Sequence, residues 1–207
     1  MNVKNKKGVI DDILSLRDDL GFVGNSLFDP DLVAVPLWEE ELVVITSKSL
    51  SFGSKPSILP TELSQQPLIV RERGSGTREY IEESLRRQGV VSKTFMELGS
   101  DEAIKRAVAV GLGVSIVPVG VVENEVERGD IKQYRLKAER LHLDYFMVHH
   151  KDKYISKLIR AFMDLTLIHA AAHREAVGVA EEPAFTATAP AGARHKASGS
   201  RTSRQRQ

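Results

Sequence analysis

The stretch from Pro67 to Tyr80 constrains the fold most, because a buried strand, a glycine turn and a helix start coincide in it. Leu68, Ile69 and Val70 form an apolar run of the buried-strand kind, and Ile81 and Leu85, at i and i+4, mark the inward face of a following helix. Between them lies Gly74-Ser75-Gly76-Thr77-Arg78. First-turn N–H groups have no partner inside a helix and the helix dipole is positive there, so a carboxylate, sulfate or phosphate is favoured at such a junction. Ser75 and Thr77 add hydroxyls and Arg78 a charged fork. The plainer reading is an N-cap, contributing roughly 1 kcal/mol and binding nothing.

Two sharper motifs are excluded. A dinucleotide fingerprint needs Gly at the sixth position from Gly74, where Glu79 stands. A nucleophile elbow needs Gly two residues to either side of Ser75, where Arg73 and Thr77 stand. Gly111-Leu112-Gly113-Val114-Ser115-Ile116 also fails the dinucleotide pattern at its last position.

The rest of the chain alternates in the same way. Val9, Ile10, Ile13, Leu14 and Leu16 predict a short amphipathic helix before a strand at Leu20 to Val23. Leu32 to Leu37 and Glu41 to Thr46 read as two strands, with Pro30 and Pro36 on either side of the first. Ser49 to Pro60 reads as loop and Thr61 to Gln66 as a short helix. The helix from Arg78 ends at Gly89, and a strand follows near Thr94 to Leu98. Ser100 caps a helix whose inward stripe is Ile104, Ala107, Val108 and Gly111. A strand at Val114 to Val117, closed by Pro118, leads to a helix over Val119 to Glu127 and a strand over Ile131 to Leu136. A strand at Leu141 to Val148 and a helix at Tyr154 to Leu167 complete the order. Such alternation implies parallel sheets covered by helices.

After Ala170, small, polar and basic residues dominate and Phe185 is the only large apolar residue past Val179. A segment of that composition cannot bury enough surface to offset its ordering entropy, so residues 170–207 are expected to be disordered. Arg194, Lys196, Arg201, Arg204 and Arg206 could touch nucleic acid weakly, but a solvated tail is the default.

Composition excludes several classes of function. A formal net charge of +1 makes no strong claim on nucleic acid, and the absence of cysteine removes disulfides, thiolate chemistry and Cys-based zinc sites. No apolar run approaches the roughly 18 residues needed to span a bilayer. The start has Lys4, Lys6 and Lys7 without an apolar core, unlike a signal peptide, and a cytoplasmic location is expected. His149 with His150, and His169 with His173, lack a companion Glu-x-x pattern and read as surface histidines, with no metal expected. Glu39, Glu40 and Glu41 read as a solvated strand start.

The order and spacing of the motifs point further. Arg71-Glu72-Arg73-Gly74-Ser75-Gly76-Thr77-Arg78, then Glu97-Leu98-Gly99-Ser100-Asp101-Glu102-Ala103-Ile104-Lys105, then Val110-Gly111-Leu112-Gly113-Val114-Ser115-Ile116-Val117-Pro118, resemble the effector-binding domain of LysR-type transcriptional regulators. Leu20-Gly21-Phe22-Val23-Gly24 and Leu37 to Ile45 also resemble that family's segments, and the likeness runs from about Gly8 to about Leu167. It implies an α/β, two-lobe type 2 periplasmic-binding-protein-like fold with mainly parallel sheets. The first lobe is expected at 1–48, incomplete, and again at 137–169, the second lobe at 49–136, with crossings near Ile45 to Lys48 and Leu136 to Leu143. The family's helix-turn-helix, linker helix and first strand–helix–strand have no counterpart before Gly8, so Met1 looks like an internal start, a truncated gene model or a gene fragment, and a poorly stabilised amino-terminal lobe is expected.

The resemblance also implies a function. It is a small anionic effector held between lobes by Gly74, Ser75, Gly76, Thr77, Arg78, Ser100, Ile116 and Pro118, with no catalytic residue and no cofactor. DNA would be met only through the helix-turn-helix of the parent protein, which would be a homodimer or homotetramer, and no membrane is involved. Two rival classes remain. One is a periplasmic-type solute-binding receptor, which shares the fold and the anion logic. The other is an enzyme using Ser75 or the carboxylates of Glu72 and Glu79, for which no nucleophile–base pair is readable.

Overall fold

The computed structural model describes residues 2–25, 29–90, 93–137 and 140–177. Helix α1 (Lys6–Leu14) leads to strand β1 (Gly21–Gly24) and to β2 (Leu32–Ser47). A short β3 (Ser57–Ile58), α2 (Pro60–Leu63), β4 (Leu68–Arg71), α3 (Gly76–Arg87), β5 (Thr94–Leu98) and α4 (Asp101–Ala109) follow. Then come β6 (Ser115–Pro118), a 3₁₀ turn at Val119–Val121, α5 (Glu123–Glu127), β7 (Ile131–Leu136), β8 (Leu141–His150) and α6 (Lys157–Val177).

The two strands expected between Leu32 and Thr46 are one. Pro36 lacks an N–H, and the ladder to β8 shifts register between Pro36 and Trp38 instead of ending. The bulge leaves Leu37 fully buried against Met147 and Ala170. β2 then changes partners within its length. Leu32 to Leu42 pair with β8, whereas Leu42 to Ile45 pair with β6 and Val44 to Ser47 with β7. The change of partners from β8 to β6 and β7 thus begins at Leu42, within one continuous strand and with no loop between.

The α/β two-lobe arrangement is as expected, but the sheets are mixed rather than mainly parallel. All three partners of β2 are antiparallel, as is the β1–β8 pair. Among the described residues, parallel pairing is confined to β4–β5, β3–β7 and a bridge from Leu68 to Val114. Strands reached through a helix run parallel, but the two long crossing strands, β2 and β8, meet head to tail.

The second lobe has cores on both faces of its sheet. Leu68, Val70, Ile81, Leu85, Val114 and Ile116 pack on one, and Ile69, Ile104, Val108, Val117 and Ile131 on the other. In the first lobe, Ile13, Val23, Phe146 and Val148 pack under α1. Further corrections concern the ends of elements. The expected helix over Val119 to Glu127 is split into the 3₁₀ turn and α5, and the expected loop carries β3. Disorder does not begin at Ala170: α6 continues to Val177, with Ala170 buried and Arg174 Nη1 donating to the Leu37 carbonyl. The remainder of the expected tail, including Arg194 to Arg206, lies outside the described residues.

Candidate ligand site

Strands β6, β4 and β5 are joined in parallel, so their carboxyl ends lie along one edge of the second lobe. Ligands of α/β sheets bind beyond such ends, where helices begin. Pro118 ends β6, Gly74 to Arg78 follow β4, and Ser100 follows β5. Ile116 lies inside β6, opposite Val44 and 4% exposed.

Both helix starts are capped as the sequence predicts. Ser75 Oγ accepts from Arg78 N–H at 3.4 Å, and Ser100 Oγ accepts from Ala103 N–H at 3.2 Å. Ser75 and Thr77 are buried, while Ser100 is exposed. The first-turn N–H groups of Gly76 and Thr77, and of Asp101 and Glu102, have no acceptor within their own helices. They are the donors that an anion at this edge can use.

Arg78 does not project a free fork. Its Nε donates to Glu82 at 2.7 Å and its Nη1 to the Arg71 carbonyl at 2.9 Å and to Glu97. Burial works against its charge, but the Glu82 and Glu97 carboxylates hold its pKa above the ordinary arginine value. Arg71 is similarly committed, with Nη1 2.9 Å from Asp101 and Nε 2.9 Å from Glu72. Its bond to Asp101 ties the end of β4 to the start of α4. Sequence reading did not single out this pair. The arginine closing an apolar strand and the aspartate after the Ser100 cap are the only local signals.

The junction between lobes is more acidic than its sequence suggests. Glu40 is half-buried and accepts from Gly120 N–H at 2.8 Å. Burial chiefly raises its pKa, the Gly120 bond opposes, and the charges of Glu123 and Asp101 raise it further. Tyr145 is raised too, mainly by burial and then by Glu40 and Asp101. Its ring stacks on Trp38 at 5.2 Å, and His173 meets Trp38 edge-on at 5.4 Å. Thus Glu39 to Glu41 are not a solvated run, since Glu41 pairs with Arg135 at 2.7 Å and Glu39 lies 3.0 Å from His142. His149 is likewise buried, not a surface residue, with Nδ1 2.9 Å from the His150 carbonyl. Among the described residues no group of His, Asp and Glu is arranged to hold a metal, and no helix is long and apolar enough to cross a membrane.

Comparison with known proteins shows the family and the fold. Residues 1–171 match the LysR substrate binding domain. The uncharacterized HTH-type transcriptional regulator YeiE of Escherichia coli K12 is 34% identical over 164 residues, covering 79% of this chain and 56% of that protein. The HTH-type transcriptional activator CmpR of Synechocystis is 30% identical over 181 residues, covering 87% of this chain and 58% of that protein. The chain thus spans a little over half the length of these relatives. The Synechocystis CcmR regulatory domain in complex with 2-PG superposes with a TM-score of 0.73 at 27% identity, covering 80% of each chain.

Proposed function

Because this chain belongs to the LysR substrate binding domain family and is the effector-binding domain of a LysR-type regulator, we propose that it senses a small anion at the edge formed by Gly74 to Arg78, Ser100 and Pro118. The observation that carries this reading is the convergence of three parallel strand ends and two capped helix starts on one edge. With Arg71 and Arg78 already paired, recognition rests on backbone N–H groups and hydroxyls. Such a site favours a compact oxyanion or carboxylate over a large organic anion. The 2-PG held by the CcmR domain supports a ligand of this size class.

Ligand contact from both lobes favours the closed arrangement by differential affinity, and closure is passed to the DNA-binding part of the parent regulator. This chain by itself makes no sequence-specific contact with DNA, and the parent acts as a homodimer or homotetramer in the cytoplasm. A gel shift should show only weak binding that vanishes with salt. No enzymatic role is assigned. Ser75 Oγ is 3% exposed as a residue and takes its hydrogen bond from Arg78 N–H, which is the posture of a cap and not of a nucleophile.

The direct test is a calorimetric titration with sulfate, phosphate, 2-PG and small dicarboxylates, run beside thermal melts. One of these anions should bind and raise the melting midpoint. Ser100→Ala and Thr77→Ala should each lower affinity about tenfold or more, since a hydrogen bond to a charged group contributes roughly 1.5–3 kcal/mol. Unchanged affinity in both variants would remove the assignment of this edge.

A further inference from the structure

The Gly74–Gly76 turn of the second lobe is seated on the first turn of α1 from the first lobe. Lys7 N–H donates to the Gly74 carbonyl at 3.2 Å, and Asn5 Nδ2 donates to the Arg73 carbonyl at 3.3 Å. Lys6 Nζ reaches Glu79 Oε2 at 3.3 Å. Asn5 serves both lobes at once, because its Oδ1 also accepts from Gly8 N–H at 3.0 Å and caps α1. From the side of α1, the Gly74 carbonyl satisfies a first-turn N–H that the helix itself cannot.

Gly76 is matched to this contact, whereas Gly74 is already called for by its own φ of +87°. A Cβ on Gly76 would lie 2.5 Å from the Gly24 carbonyl oxygen and 2.9 Å from Lys6 Cδ, both in the first lobe. Gly76 is the first residue of α3, and alanine is the better helix former, so α3 itself has no need of glycine there. The close approach of the other lobe requires it. At Gly74 a Cβ would meet Asn5 Nδ2 and Lys7 Cβ at 3.3 Å.

We propose that the Asn5–Lys7 and Gly74–Gly76 turns form an inter-lobe clasp that closes the two lobes on this side with no effector bound. Closure is then a property of the chain, and an effector shifts a balance that the clasp has already set. Each hydrogen bond of this kind biases an equilibrium by roughly two- to tenfold, so the clasp is strong enough to set the balance and weak enough to be overridden. The inference does not depend on the anion reading, since the closure it describes needs no ligand.

The chain has no cysteine, so two can be introduced for spin labels without interference. Exposed Glu127 in the second lobe and exposed Asp152 in the first are suitable positions, and distances are measured on the full chain without ligand. The parent chain should show one dominant short distance. Gly76→Ala should act as a wedge, raising the long-distance fraction at least threefold while far-UV circular dichroism keeps its helical signal. Asn5→Asp keeps the oxygen that caps α1 but sets a carboxylate against the Arg73 carbonyl, and should raise the same fraction about twofold or more. A broad distribution in the parent, or an unchanged one in both variants, overturns the clasp. If Gly76→Ala fails to fold, Asn5→Asp decides alone. If none of the anions of the titration binds the parent chain while its short distance persists and the variants lengthen it, the ligand assignment falls and the clasp stands.

Discussion

The inner strand β4 of the second lobe and the outer strand β1 of the first are buried to different depths. In the second, β4 is apolar on both faces, with Leu68 and Ile69 almost wholly out of solvent and helices covering each side. In the first, β1 is the last strand of its sheet among the described residues and shows alternating burial, with Val23 buried and Phe22 44% exposed. Phe22 meets Phe162 edge-on at 6.3 Å, beside a groove of about 510 Å³ that is also lined by Val9, Leu20 and Gly21. Leu158, Leu165 and Ile168 extend that apolar face along α6. The same α/β logic therefore covers both faces in each lobe, by α3 and α4 in the second and by α1 and α6 in the first, but leaves the first lobe partly open along the β1 edge. Stability follows the apolar area removed from water, so the lobes should not respond alike to perturbation.

The largest contrast should come from core truncation. Ile104→Ala and Leu85→Ala, both at fully buried positions of the second lobe, should each cost about 2–5 kcal/mol in urea unfolding. Phe22→Ser in the first lobe should cost well under that, in the range of about 1 kcal/mol. Equal losses would break the comparison. A second contrast is dynamic. Amides of β1 should exchange through local openings at lower free energy than those of β6, which hydrogen exchange resolves residue by residue. The chain's single tryptophan, Trp38, sits in the first lobe beside Leu37 and Tyr145, so its fluorescence should change at lower temperature than the far-UV signal. Coincident transitions would show that the lobes unfold as one unit.

Smaller effects should follow pH, with opposite signs at two carboxyls. The hydrogen bond from Lys4, and then the charge of Arg17, hold the Asp12 carboxyl below its ordinary pKa despite its desolvation. A lowered folded pKa means that stability is present above the unfolded value of about 3.9 and is lost as pH falls through the folded one. Asp12→Asn should thus destabilise the first lobe at pH 7, and the gap to the parent should close on acidification. Glu40 is raised, chiefly by burial. Its charged form is the penalised one, so stability is fullest below about pH 4.3 and falls as pH rises through the folded pKa. Glu40→Gln should be slightly more stable than the parent at pH 7 and equal to it at pH 4, as read from urea midpoints.

Much of the fold was legible from short-range pattern. The strand, turn and helix around Gly74 lie where Leu68 to Val70 and the Ile81 and Leu85 stripe put them, and the Ser75 and Ser100 caps are formed. What failed was whatever had no local mark. Pro36 looks like a strand breaker, but a one-residue bulge absorbs it. The end of α6 passes through an alanine-rich stretch whose composition resembles disorder, and Ala170 is held by burial against Leu37. At the site, Arg78 is a free cation in the sequence and a committed one in the fold, because Glu97 is brought to it from the neighbouring strand.

The sequence by itself determined the element order, the helix caps, the glycine turn and the family. These depend on dihedral preference, periodicity and groups only a few residues apart, and such information is carried by neighbours along the chain. Only the tertiary structure decided that β2 serves two lobes and that Arg71 spends its charge on Asp101. It alone placed Gly74 and Gly76 against α1. Those outcomes are set by distances between residues that lie tens of positions apart. Charge pairing and close packing depend on separation in space, which no local pattern specifies.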